Sequence, residues 1–124
     1  MTKNQFVSEL MKFFKNAARL NDKRSKFGIS SLEDEVEDLD CEFFKQGLRL
    51  IIDETESAIV NEIMSNKISF EKNQYKRRYM LIEKRAVLGI QEGLKTRILI
   101  FLLFSLANLP KKEQNKIECE LLKD

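Results

Sequence analysis

The stretch Ile98-Leu99-Ile100-Phe101-Leu102-Leu103-Phe104-Ser105-Leu106-Ala107-Asn108-Leu109 is the most apolar in the chain, and its length decides how the rest is read. A membrane-spanning helix needs roughly 20 consecutive apolar residues, so this run is too short to cross a bilayer. It reads instead as a helix that is apolar on every side and must be buried in a core or against another chain. Pro110 ends it, because proline cannot continue a helix. Lys111 to Asp124 reads as a last, more polar helix with Ile117, Leu121 and Leu122 on one side.

The rest of the chain repeats the helical signal. Between Asn4 and Leu20 the apolar residues Phe6, Leu10, Phe14 and Ala17 recur at three- and four-residue steps, which makes one face of a helix. A basic loop, Asn21-Asp22-Lys23-Arg24-Ser25-Lys26, is expected after it, and Gly28 interrupts the pattern. Ser30-Ser31-Leu32-Glu33 matches the S-x-x-E capping box, so a short helix is predicted to start there. Seven of the ten residues from Glu33 to Glu42 are acidic, but the run lacks the D-x-D-x-D-G spacing of a calcium loop. Phe44, Leu48, Ile51 and Ile52 form the next helical face, with Gly47 placed to allow a close helix crossing. After the break at Asp53-Glu54-Thr55-Glu56, one long helix is expected from about Ile59 to Gly89, since neither Gly nor Pro interrupts it.

Composition narrows the class and the chemistry. The chain has 124 residues, 22 basic and 20 acidic, for a net charge of +2. One Pro and four Gly supply too little turn chemistry for a sandwich or barrel of short strands. The expected fold is therefore all-α, with five or six amphipathic helices in a small bundle. Self-association is expected through Ile98, Phe101, Leu102 and Phe104, because so short a chain has difficulty covering every side of the apolar helix. The absence of His excludes His-based acid–base catalysis, Ser-His-Asp and Cys-His pairs and His-ligated metals. Cys41 and Cys119, far apart in sequence, read as reduced thiols. The amino-terminal residues have no apolar signal region, which gives an expected cytoplasmic location.

Gly28-Ile29-Ser30-Ser31-Leu32-Glu33, the acidic helix and then Phe43-Phe44-Lys45-Gln46-Gly47-Leu48-Arg49-Leu50-Ile51-Ile52-Asp53-Glu54-Thr55 resemble, in that order, a cytoplasmic loop. It is the loop between the second and third membrane helices of the bacterial flagellar stator A-subunit, motility protein A. Ala86-Val87-Leu88-Gly89-Ile90-Gln91-Glu92-Gly93, followed by Arg97-Ile98-Leu99, is similar to that family's cytoplasmic C-terminal tail. Residues 1–76 thus resemble the loop domain and residues 77–124 the tail, packed as one helical unit. The family's two intervening membrane helices have no counterpart near Tyr75 to Tyr79. The chain reads either as two cytoplasmic pieces joined or as a paralogue without its membrane part. The tail match departs from the pattern at Leu94-Lys95-Thr96, where the family has an Asn-Pro pair, and at Ile100-Phe101-Leu102, where it has charged residues.

The resemblance implies a non-enzymatic module with no cofactor, which contacts the rotor's switch-complex protein through charged residues and transmits torque. The family's loop Glu falls on Glu33 and its loop Arg on Ser25, whose neighbours Arg24 and Lys26 carry the charge. Rotor binding is thus expected at Arg24, Lys26 and Glu33, with a stator B-subunit as the further partner in a full-length assembly on the inner membrane. Two other readings come from the residues alone. Nine basic residues against three acidic ones between Lys67 and Arg97 suggest a helical nucleic-acid-binding protein, and the apolar helix suggests an oligomerising adaptor. The low net charge and the acidic run argue against nucleic acid, which is not the expected partner.

Overall fold

The computed structural model describes residues 1–121, and within them all regular secondary structure is helical, with no strand. Seven α-helices follow one another: α1 (Lys3–Phe27), α2 (Glu33–Val36), α3 (Glu42–Ile52), α4 (Ser57–Ser69), α5 (Gln74–Glu92), α6 (Thr96–Ala107) and α7 (Lys111–Leu121). A single 3-10 turn, Ile29–Leu32, joins α1 to α2. The expected five or six helices become seven mainly because the long helix predicted up to Gly89 is two, α4 and α5.

The break between α4 and α5 has a local cause and a global one. Asn73 caps α5, its Oδ1 accepting from the Lys76 N–H at 2.9 Å, while the Glu71 carboxylate accepts from the Asn73 N–H at 3.1 Å. These side chains offer the backbone an alternative to continued helix. At 1.5 Å per residue an unbroken helix from Ser57 to Glu92 would run roughly 54 Å. Folding back instead brings Val60 and Met64 of α4 and Ile82, Ala86 and Val87 of α5 into the same core.

The start of the chain also differs from its sequence reading. The box that caps a helix is at Thr2 and Gln5, where Thr2 Oγ1 accepts from the Gln5 N–H and Gln5 Oε1 accepts from the Thr2 N–H. The predicted box at Ser30 and Glu33 does not form. Ser31 Oγ donates instead to the Gly28 carbonyl at 2.6 Å, and α2 starts after Leu32 with no side-chain cap. The turn is drawn inward because Leu32 is wholly buried. The basic segment from Asn21 to Lys26 is not a loop: it forms the last turns of α1, with Asn21 fully buried. Gly28 then stops the helix at φ +89°, a backbone conformation that side-chain-bearing residues rarely adopt.

One core runs through the chain on both sides of residues 76 and 77. Phe13 packs edge-on against Phe44 at 4.8 Å and Tyr79 at 5.7 Å between ring centres, tying α1 to α3 and α5. Phe14 meets Phe104 at 5.1 Å and ties α1 to α6. From α6, Leu99, Ile100, Leu103, Phe104 and Ala107 are buried, and Ile117 of α7 closes the other end. Leu122, expected beside Ile117, lies outside the described residues. Gly47 allows the close crossing anticipated for it, since a Cβ there would stand 2.7 Å from Met64 Cε and 2.8 Å from Val87 Cγ2. Gly47→Val should therefore lower the unfolding free energy by roughly 1–3 kcal/mol in a urea titration, the usual cost of overfilling a packed core. Unchanged stability would mean that α3 does not approach α4 and α5 this closely.

Candidate functional site

The residues expected to meet a rotor cluster around the corner where α1 turns into α2, and the structure treats the three differently. Lys26 and Glu33 lie exposed on opposite sides of the Gly28 turn, and neither has an ion-pair partner among the described residues. Arg24 is half-buried and turned inward. Its Nη2 donates to Asn21 Oδ1 at 2.9 Å and to the Leu94 carbonyl at 3.1 Å, and its Nε is buried with no partner. Asn21 Nδ2 donates to the same carbonyl at 2.8 Å and to Thr96 Oγ1 at 2.9 Å, and Thr96 in turn donates to Asp22. Arg24 thus pins the end of α1 to the turn between α5 and α6. The free positive charge of the corner rests on Lys26.

Three of the seven carboxylates in the neighbouring acidic run, Asp34, Glu35 and Glu37, are paired with basic residues. Arg19 reaches Glu35 at 2.6 Å, and Lys23 lies 3.1 Å from Glu35 and 3.6 Å from Asp34. The hydrogen bond from Arg19, then that from Lys23, holds the Glu35 carboxyl below the usual carboxylate range. On the other side Arg49 donates to Glu37 and lowers its pKa in the same way, with Lys45 at 3.8 Å. Glu33 stands outside both clusters. Sequence reading missed Phe27, which is 70% exposed beside Lys26 at the helix end. An aromatic residue between a basic segment and a glycine was the available signal.

The four residues expected to drive self-association divide by face. Ile98 and Phe101 are 49% and 43% exposed, Leu102 is half-buried, and the Arg97 guanidinium lies 5.8 Å above the Phe101 ring. Phe104 is corrected to a core residue, 5% exposed against Phe14. Helical periodicity places it with Ile100, Leu103 and Ala107, away from the outer face that carries Ile98 and Phe101. In the basic stretch, Lys76 lies 3.6 Å from Glu71, and Arg77 and Arg78 are exposed on α5.

Comparison with known proteins gives one similarity. The chain is 29% identical over 98 residues to a protein described as "Motility protein A" from Treponema phagedenis. The match takes up 77% of this chain and 38% of that relative, so the chain spans well under half of the relative's length. A stretch that long necessarily includes residues 31 to 94, hence Glu33, Phe43 to Thr55 and Ala86 to Gly93. No family profile matches the chain. No solved structure matches it. Among the described residues no helix is long and apolar enough to cross a membrane, and no three metal-binding side chains are placed to share an ion.

The different settings of the three charged residues separate in a stability measurement. Arg24→Met should lower the unfolding free energy by roughly 1–3 kcal/mol, because it strips a charged donor from Asn21 and Leu94. Lys26→Ala and Glu33→Ala should each stay within about 0.5 kcal/mol of the parent, as exposed unpaired side chains do. Equal losses at positions 24 and 26 would contradict the inward placement of Arg24.

Proposed function

We propose that the chain is the rotor-facing helical module of a flagellar stator of the motility protein A kind, without enzymatic activity. What carries the reading is the 29% identity with a motility protein A across a stretch that includes Glu33. The exposed cation and carboxylate at the Gly28 corner support it. In this reading residues 1–76 do the work of the loop, and residues 77–124 brace it. Lys26 and Glu33 form charge pairs with the rotor's switch-complex protein, while Arg24 acts by holding the corner in place. A stator B-subunit completes the assembly at the inner membrane. Solvated pairs of this kind contribute about 0.2–1 kcal/mol each, which steers a partner without trapping it, as a contact made and broken on every step requires.

The test is charge reversal in a full-length stator into which residues 21–36 have been grafted. Lys26→Glu should slow or stop swimming, and a reversal of the facing rotor charge should restore part of it, because the interaction is pairwise. Normal swimming of the Lys26→Glu, Glu33→Lys double variant at low ionic strength, where screening is weakest, would remove these residues from the contact.

The outer face of α6 favours a second contact, between copies of the chain through Ile98, Phe101 and Leu102. Exposed apolar side chains on one helix face are the usual material of such interfaces. Light scattering should give a mass that rises with concentration, and Phe101→Glu should return it to that of a monomer. A concentration-independent monomer for the parent chain would refute the contact.

A further inference from the structure

We infer that the cleft bounded by α1, the start of α3 and the first half of α5 is a binding site for an organic cation, an ammonium or guanidinium group on a short apolar body. The cleft has a volume of about 420 Å³, within the range of small-ligand pockets. Its floor holds Glu83, which is 3% exposed. Among the described residues no cation lies within salt-bridge distance of this carboxyl, and the backbone N–H of Phe44 at the start of α3 is near enough to favour its charged form. Glu9, Glu42 and Glu71 bring further carboxylates to the rim, against Lys76, 3.6 Å from Glu71, and Met1, which carries the amino terminus. Phe43, Met80 and the Tyr79 ring supply apolar wall.

This arrangement selects against the other ligand classes. An anion would meet the carboxylates of Glu9, Glu42 and Glu71 at the rim. A metal ion lacks a set of three ligating side chains among the described residues. A cation with an apolar body would place its charge against Glu83 and its body between Phe43 and Met80. The contact between its ammonium or guanidinium N–H groups and the Glu83 carboxylate is a charge-assisted hydrogen bond, stronger than a neutral one.

Burial also decides the proton balance. It pushes the Glu83 carboxyl up to about 8, so the empty cleft holds it protonated at neutral pH. The Cys41 thiol and the Tyr79 hydroxyl, 3.7 Å apart, are both pushed up by burial and stay protonated beside it. Glu71 is held low by the Asn73 N–H and remains charged. An arriving cation favours the ionised form of Glu83, so binding releases one proton and tightens as pH rises toward 8.

The experiment is calorimetric titration of the full chain with phenethylamine, 2-phenylethanol and phenylacetate, one aromatic body carrying positive, no and negative charge. Phenethylamine should bind saturably and at least tenfold more tightly than the other two. Its affinity should rise by up to roughly 25-fold from pH 6.5 to pH 8.5, with a proton released, as expected for a group titrating near 8. Glu83→Gln, which keeps the shape and an acceptor for the Phe44 N–H, should abolish the pH dependence and weaken binding about tenfold. The exposed Glu42→Gln offers a milder loss that does not put the core at risk. The peptide acetyl-Phe-Lys-amide separates the sources: tighter binding than phenethylamine assigns the cation to a partner protein, weaker binding to a free amine. Equal binding of all three phenyl compounds, or none of phenethylamine, overturns the site, and neither result bears on rotor contact.

Discussion

The fold depends on how closely α3 can approach α4 and α5, and that distance is set by the missing side chain at Gly47. With only hydrogen there, Met64 and Val87 close over the α3 backbone, and Phe44 and Leu48 on the same helix reach the aromatic cluster around Phe13. Move α3 outward by the thickness of a methyl group and Phe44 loses its edge-on contact with Phe13. Tyr79 then loses part of its packing, and the cleft above Glu83 opens. The same helix carries Arg49 and Lys45, which pair with Glu37 just after α2. A packing constraint in the core thereby fixes the electrostatics of the acidic run.

The charges fall into two populations, and the division explains what the surface offers. Those drawn into internal pairs, Arg19, Lys23, Glu35, Glu37 and Arg49, join α2 to its neighbours and compensate for a helix too short to be stable alone. Among those without an ion pair in the described residues, Lys26 and Glu33 flank the glycine corner, and Asp38, Asp40 and Glu42 follow along the acidic run. Segregation of this kind allows a surface to present a few charges to a partner although the region around it is dense with ionisable groups.

Much of the architecture was legible in the sequence, because three- and four-residue apolar spacing marks α1 and α3, and the unbroken apolar run ended by Pro110 marks α6. The failures have physical reasons. Asn73 was a capping residue without a neighbouring Gly or Pro to mark it, so α4 and α5 read as one helix. Ser30 and Glu33 had the right spacing for a cap, but the need to bury Leu32 imposed a 3-10 turn in its place. Arg24 and Lys26 are indistinguishable as letters; only the Leu94 carbonyl, 70 residues away, tells them apart. Glu83 was invisible for the same reason, since its isolation is a property of what packs around it.

The placement of the two tyrosines gives the molecule an optical character of its own. There is no tryptophan, and Tyr75 and Tyr79 both lie in the first turns of α5, with ring centres 5.8 and 6.5 Å from that of Phe6 on α1. All of the chain's tyrosine emission therefore originates at one seam between two helices. Fluorescence from this protein is a local signal of whether α1 and α5 remain docked, and it is blind to fraying at α7.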